Sequence, residues 1–89
     1  MTYTLHYTTV AIKALKKLDR PSQILIMNWI EKHLIDCEDP RSKGKALKAN
    51  LSGAWRYRIG DYRIIAEIDD STVTILLLAI GHRKAIYNK

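Results

Sequence analysis

Gly60 and Asp61 stand between two runs, Trp55-Arg56-Tyr57-Arg58-Ile59 and Tyr62-Arg63-Ile64-Ile65-Ala66, both rich in aromatic and β-branched residues. A Gly-Asp pair between two such runs predicts a two-residue β-hairpin turn, because glycine accepts the positive φ that these turns need. The prediction is constraining because strand side chains alternate between faces and loop length sets the pairing. A two-residue loop puts Ile59 opposite Tyr62 and Arg58 opposite Arg63. One face of the hairpin then carries Trp55, Tyr57, Ile59, Tyr62, Ile64, Ala66 and Ile68, and needs a cover. The other face carries Arg56, Arg58 and Arg63.

The rest of the chain supplies that cover. Three strands are predicted, over Ala54–Ile59, Tyr62–Ile68 and Thr72–Ile80, with a second turn at Asp69-Asp70-Ser71. The last is apolar almost throughout, which predicts a central strand with both faces covered. Tyr3–Tyr7 alternates and predicts a further strand. Thr8 or Thr9 suits a helix N-cap, since a hydroxyl accepts a hydrogen bond from the first free amides. That helix runs to about Leu18, with Ala11, Ala14, Leu15 and Leu18 on one face. Pro21 fits the first turn of a second helix, where its missing N–H costs nothing. Ile24, Met27, Ile30, Leu34 and Cys37 recur at helical spacing, and Pro40 ends the run. Two helices with a short break suggest an antiparallel pair. Arg41–Ser52 has little periodicity and reads as a basic connection. The predicted order is β-α-α-β-β-β: one α+β domain over residues 1–89, with two N-terminal helices packed on one face of a small, mostly antiparallel sheet.

Eighty-nine residues leave room for one modest core, and a 47% hydrophobic content is ordinary for a folded chain. The longest apolar run, Ile75–Ile80, is far too short to cross a bilayer. The first residues lack the apolar stretch of a signal peptide, and one cysteine cannot staple a secreted fold. A cytoplasmic protein without membrane contact is expected.

The formal charge of +6 is unevenly spread. Up to Pro40 the cations are matched by acids. From Arg41 onward ten cations face only Asp61, Glu67, Asp69 and Asp70. Such asymmetry is the electrostatic footprint of a polyanion partner. The arginines sharpen it. Like charges opposite each other on paired strands destabilise by up to about 1 kcal/mol. Folding gains nothing from Arg58 facing Arg63, and an anion between them would relieve the repulsion. On this reasoning Arg63→Ala should be neutral or slightly stabilising. A lone solvent-facing arginine commonly spreads into water, but three on one face point to a ligand. His82, in the segment Gly81-His82-Arg83-Lys84-Ala85-Ile86-Tyr87, joins the arginine face if the second turn has an even length.

Other chemistries are poorly supplied. His6, His33 and His82 lie on three different elements and Cys37 is alone, against the clustering that metal sites need. No Ser-His-Asp spacing or glycine-rich phosphate loop is present.

The segments Leu51-Ser52-Gly53-Ala54-Trp55-Arg56-Tyr57-Arg58-Ile59-Gly60-Asp61-Tyr62-Arg63-Ile64-Ile65 and Gly81–Tyr87 together resemble the RelE/ParE superfamily of bacterial toxins, and within it the RelE branch. The resemblance covers essentially the whole chain. It implies a small antiparallel sheet with two N-terminal helices. It also implies cleavage of mRNA in the ribosomal A site with no metal and no cofactor, by attack of a ribose 2′-hydroxyl on its own 3′-phosphate. Such a reaction needs a base, cations for the charge on phosphorus, and an acid for the leaving 5′-oxygen. By resemblance, Arg56 and Arg58 occupy positions where some relatives carry catalytic lysines, Arg63 matches the arginine after the hairpin, and Arg83 and Tyr87 match the C-terminal arginine and tyrosine. Arginine is a poor base. His82, whose side-chain type titrates near neutrality, and Tyr87 both stand as proton carriers. Lys43, Lys45, Lys48 and Lys84 are candidate contacts to RNA, ribosomal RNA included. The implied partner is an acidic, RelB-like antitoxin, with operator DNA reached only through that complex. A ParE-like toxin that blocks DNA gyrase without catalysis is the alternative, and a basic binding module for RNA or an acidic protein is a third.

Overall fold

The computed structural model describes residues 1–47 and 53–86. In chain order the elements are β1 (Thr4–Tyr7), α1 (Thr9–Lys16), α2 (Arg20–His33), β2 (Lys45–Ala46), β3 (Trp55–Ile59), β4 (Tyr62–Asp69), β5 (Thr74–His82) and α3 (Arg83–Ile86). The five strands form one sheet in the order β1-β5-β4-β3-β2. Among the described residues the β1–β5 pair is parallel and the other pairs are antiparallel. This is the expected α+β architecture, with β5 flanked on both sides.

Local chemistry explains the helix starts. Thr8 caps α1, its Oγ1 accepting from the Ala11 amide at 3.1 Å and donating to the Leu77 carbonyl at 2.9 Å, so one hydroxyl caps the helix and ties it to β5. Asp19 caps α2 by accepting from the Ser22 amide and hydroxyl, and Pro21 sits in the first turn. Gln23 donates to the Leu15 and Lys16 carbonyls, closing the end of α1 with a side chain of α2.

The core lies between the helices and one face of the sheet. Ala11, Ile26, Ile30 and Leu34 meet Tyr57, Ile59, Ile64, Ala66, Ile75, Leu77 and Ile80. Each fully buried isoleucine or leucine stabilises by about 1.5–3 kcal/mol. Tyr57 is wholly buried, and its hydroxyl donates to the Pro40 carbonyl at 2.6 Å.

Four details depart from expectation. The buried stripe of α2 is Ile26, Ile30 and Leu34 with Trp29 beside it, whereas Ile24 and Met27 are exposed. The helix stops at His33, before Pro40, with Leu34 as C-cap and Asp36 in the left-handed region at φ 56°. The basic connection contains the short strand β2. The far face of β5, with Leu76, Leu78 and Ala79, is only half-buried.

β5 also carries a bulge. Ile65 pairs with Ala79, but Ala66 pairs with Leu77, leaving Leu78 as an extra residue. An extra residue reverses the facing of everything beyond it.

Candidate active site

The β3–β4 hairpin has the register that its two-residue loop dictates: Ile59 opposite Tyr62 and Arg58 opposite Arg63. The two arginines share a face, yet they are not equivalent. Arg58 is exposed, whereas Arg63 is 6% exposed. Arg63 folds back onto its own turn, Nη1 donating to the Gly60 carbonyl at 2.9 Å and the Tyr62 carbonyl at 3.0 Å. Its Nε is buried without a partner among the described residues. The repulsion expected between the pair is therefore offset by turn carbonyls rather than waiting for a ligand, and the expectation that Arg63→Ala is neutral is corrected. Two bonds to a charged donor outweigh a like-charge penalty of at most about 1 kcal/mol. Arg56 is half-buried on β3, one step back on the same face.

The end of β5 completes this corner. Gly81 lies opposite Arg63 and His82 opposite Tyr62. His82 is thus on the helix-facing side, not the arginine side. The second turn is even, Asp69 pairing with Thr74, and it is the bulge at Leu78 that reverses the parity. The His82 ring meets Tyr62 edge-on at 5.7 Å, and its Nδ1 accepts from the Lys84 amide at 3.2 Å. Arg83 follows at once. Its amide donates to the Asp61 carbonyl at 2.8 Å, and its Nε lies 3.8 Å from Asp61 Oδ1. Asp61 thereby anchors the start of α3 to the hairpin turn. Sequence reasoning gave Asp61 only a turn role, and no signal in the chain marks it as the partner of Arg83.

Lys43 and Lys45 are exposed on the β2 strap, and Lys45 pairs across from Arg56. With Gly44, Arg56, Arg58 and Trp29 they line a shallow groove of about 280 Å³. Lys84 is exposed on α3. Lys48 and Tyr87 lie outside the described residues. The structure thus brings Arg58, Arg63 and Arg83 to the hairpin end, with His82 behind them, and Lys43, Lys45 and Arg56 to the neighbouring strap.

Chemically, the guanidinium groups suit a phosphate and are poor proton acceptors. The His82 Nδ1 lone pair is engaged by the Lys84 amide. In the neutral ring that leaves Nε2 as a hydrogen-bond donor rather than an acceptor. Among the described residues no group of three His, Cys, Asp or Glu converges as metal ligands would. No helix among them is long and apolar enough to cross a membrane.

Comparison with known proteins identifies the chain. Residues 5–87 match the family model of the ParE toxin of the type II toxin–antitoxin system parDE. The chain is a member of the RelE/ParE superfamily of toxins. The toxin is 37% identical to Toxin RelG of Mycobacterium tuberculosis over the full length of both. It is similar to a chain of the RelBE2 toxin–antitoxin complex of the same organism, with a TM-score of 0.80 and 30% identity over 93% of this chain and all of that one. It also resembles a chain of the archaeal RelE–RelB complex from Pyrococcus horikoshii, with a TM-score of 0.68 and 26% identity over 93% of this chain and 97% of that one. The fold expected from the residues is the fold that these proteins share.

Proposed function

We propose that this toxin is a ribosome-dependent endoribonuclease that cleaves mRNA in the cytoplasm by attack of a 2′-hydroxyl on the adjacent phosphate. The observation that carries this reading is the gathering of Arg58, Arg63 and Arg83 at one corner of the sheet. The Arg63 side chain is used by the fold to satisfy carbonyls of the hairpin turn. The side chains of Arg58 and Arg83 stay open to solvent, where a pentacoordinate phosphorus can meet their positive charge. Arg56 adds a fourth cation on the same face. Tyr87, close in sequence to Arg83, is the leading proton acceptor under this reading, with His82 Nε2 on the donating side.

The partner under this reading is a RelB-like antitoxin. Exposed apolar side chains support it: Ile12 on α1 and Ile24, Leu25 and Met27 on α2 are 40–53% exposed. A groove of about 370 Å³ lies among Tyr7, Ile12, Leu15 and Met27. Contiguous apolar surface of this kind marks a protein contact more often than chance exposure. The family model matched is that of a ParE toxin, which keeps gyrase inhibition as the second reading.

Primer extension on ribosome-bound mRNA separates the two. Ribonuclease action predicts cuts at the A site on induction and stalled translation. Intact messages together with inhibited gyrase supercoiling would overturn it in favour of the ParE-like reading.

A further inference from the structure

The groove between β2 and α2 has a composition that the cleavage chemistry does not require. Four cations line it, Lys43, Lys45, Arg56 and Arg58, with Trp29 at its side and no carboxylate among the lining residues. Trp29 is half-buried, so part of the indole faces outward. The rest is held firmly, against Tyr57 at 5.3 Å and His33 at 4.8 Å. Burial, with Lys43 and Lys32 nearby, lowers the His33 pKa from its ordinary value. An aromatic surface already fixed by packing loses little freedom when a base stacks on it.

The strap is held tightly beside it. Gly44 has φ 83°, and a Cβ there would collide with the Arg56 carbonyl and lie 2.8 Å from Trp55 Nε1. A side chain has no room, so the strap lies flat against β3 with its lysines at the groove. β2 covers only Trp55 and Arg56 of β3. Among the described residues the strand edge beyond is uncovered, so the groove opens toward Arg58 and the arginine corner.

We infer that this groove is a subsite for one nucleotide of single-stranded RNA beside the cleaved position, its base stacked on Trp29 and its phosphates held by Lys43 and Lys45. Basic walls with a stacking ring are the general recipe for single-strand binding, tolerant of sequence because every base offers a π face. The identity of the ligand as RNA rests on the ribonuclease reading above. The subsite itself rests on the groove.

The test uses the whole toxin and a short mixed-sequence oligoribonucleotide with 2′-O-methyl sugars, which cannot be cut. Binding should quench tryptophan emission. Trp29→Phe should keep most of the affinity while losing most of the quenching. Trp29→Leu should weaken binding about tenfold or more. Removing Lys43 and Lys45 together should weaken binding and lower the salt dependence by about two phosphate contacts. Should Trp29→Leu misfold, as a melting curve would reveal, the quenching difference between wild type and Trp29→Phe carries the test. Equal affinity of wild type and a folded Trp29→Leu, or binding without any Trp29-dependent quenching, overturns the subsite. A toxin that binds through Trp29 yet leaves ribosome-bound mRNA intact supports the subsite and defeats the ribonuclease reading.

Discussion

Gly44→Ala is a small change with a large predicted consequence. Glycine here adopts φ 83°, a conformation that costs an alanine about 1–2 kcal/mol. The added methyl would also press on the Arg56 carbonyl and approach Trp55 Nε1 at 2.8 Å and Tyr57 Cδ1 at 3.0 Å. Two neighbours cannot yield cheaply: the Arg56 carbonyl is backbone, and Tyr57 is fully buried. The strap must move instead. It is held by its two-residue pairing with β3, by the Leu47 amide on the Ala54 carbonyl at 3.0 Å and by Trp55 Nε1 on the Lys43 carbonyl at 2.6 Å. A net hydrogen bond contributes about 1 kcal/mol, so releasing the strap costs about 3 kcal/mol at most. That ceiling sets the expected loss at about 1–3 kcal/mol, or about 5–20 °C in melting temperature for a domain this size. Unfolding should stay cooperative, since Lys43–Leu47 adds no buried residue to the core. Amide exchange should rise at Lys45 and Leu47, whose positions in the antiparallel ladder point their N–H groups at β3, and oligoribonucleotide affinity should fall with it. Thermal denaturation and hydrogen exchange on the purified toxin test this together. A melting temperature within about 2 °C of wild type, with unchanged exchange, would show that the strap is not pinned at Gly44 and refute the reasoning.

Two further outcomes follow from the same geometry. Arg63→Ala should lower the melting temperature by about 4 °C or more, because the bonds to the Gly60 and Tyr62 carbonyls outweigh relief of the repulsion with Arg58. Single-turnover cleavage should fall about a hundredfold, and a rise in melting temperature would instead show that the repulsion outweighs those bonds. Asp70 accepts from Arg41 at 2.9 Å and from the Tyr3 hydroxyl at 2.7 Å, and these bonds hold its carboxyl below the usual aspartate range. A lowered value means the contribution to stability is present above the ordinary pKa of about 3.9 and disappears as pH falls through the lowered one. Asp70→Asn should therefore melt below wild type at pH 7 and converge with it in acid, and a gap that persists in acid would assign the effect to something other than charge.

The parts of the fold that were legible in the sequence are those where one rule acts alone. The hairpin register followed from a two-residue loop, and the helix starts from Thr8 and Pro21. The face of α2 did not follow, because Ile24, Leu25, Ile26, Met27, Trp29 and Ile30 make nearly every position apolar and permit more than one stripe. Tertiary packing chose Ile26 and Ile30. The facing of His82 was hidden for a related reason. Ile75–Ile80 has no polar residue to betray where alternation breaks, so the bulge at Leu78 left no mark. β2 escaped notice because two residues carry no period. The arginines were legible as a cluster, but their division of labour was not, since burial of Arg63 depends on how its side chain turns back.

That division bears on how the site would work. Arg63 Nη1 is committed to two carbonyls of the turn, which fixes the guanidinium plane. A donor held in place before the substrate arrives needs no reorganisation as charge develops on phosphorus, which is where such groups contribute most to rate. Arg83 is tied at its backbone to Asp61 and is otherwise 54% exposed, so its side chain retains freedom to follow the phosphate. Arg63 therefore supplies fixed charge and Arg83 supplies adjustable charge. Neither supplies a base. With the His82 Nδ1 lone pair on the Lys84 amide, abstraction of the 2′-proton under the ribonuclease reading falls to the residues after Ile86, where Tyr87 lies. On that assignment Tyr87→Phe should lose cleavage while keeping oligoribonucleotide binding, and His82→Gln should retain more activity than Tyr87→Phe. The reverse order, with His82→Gln the more damaging, would require the Lys84 contact to break on binding RNA and would return the base to His82.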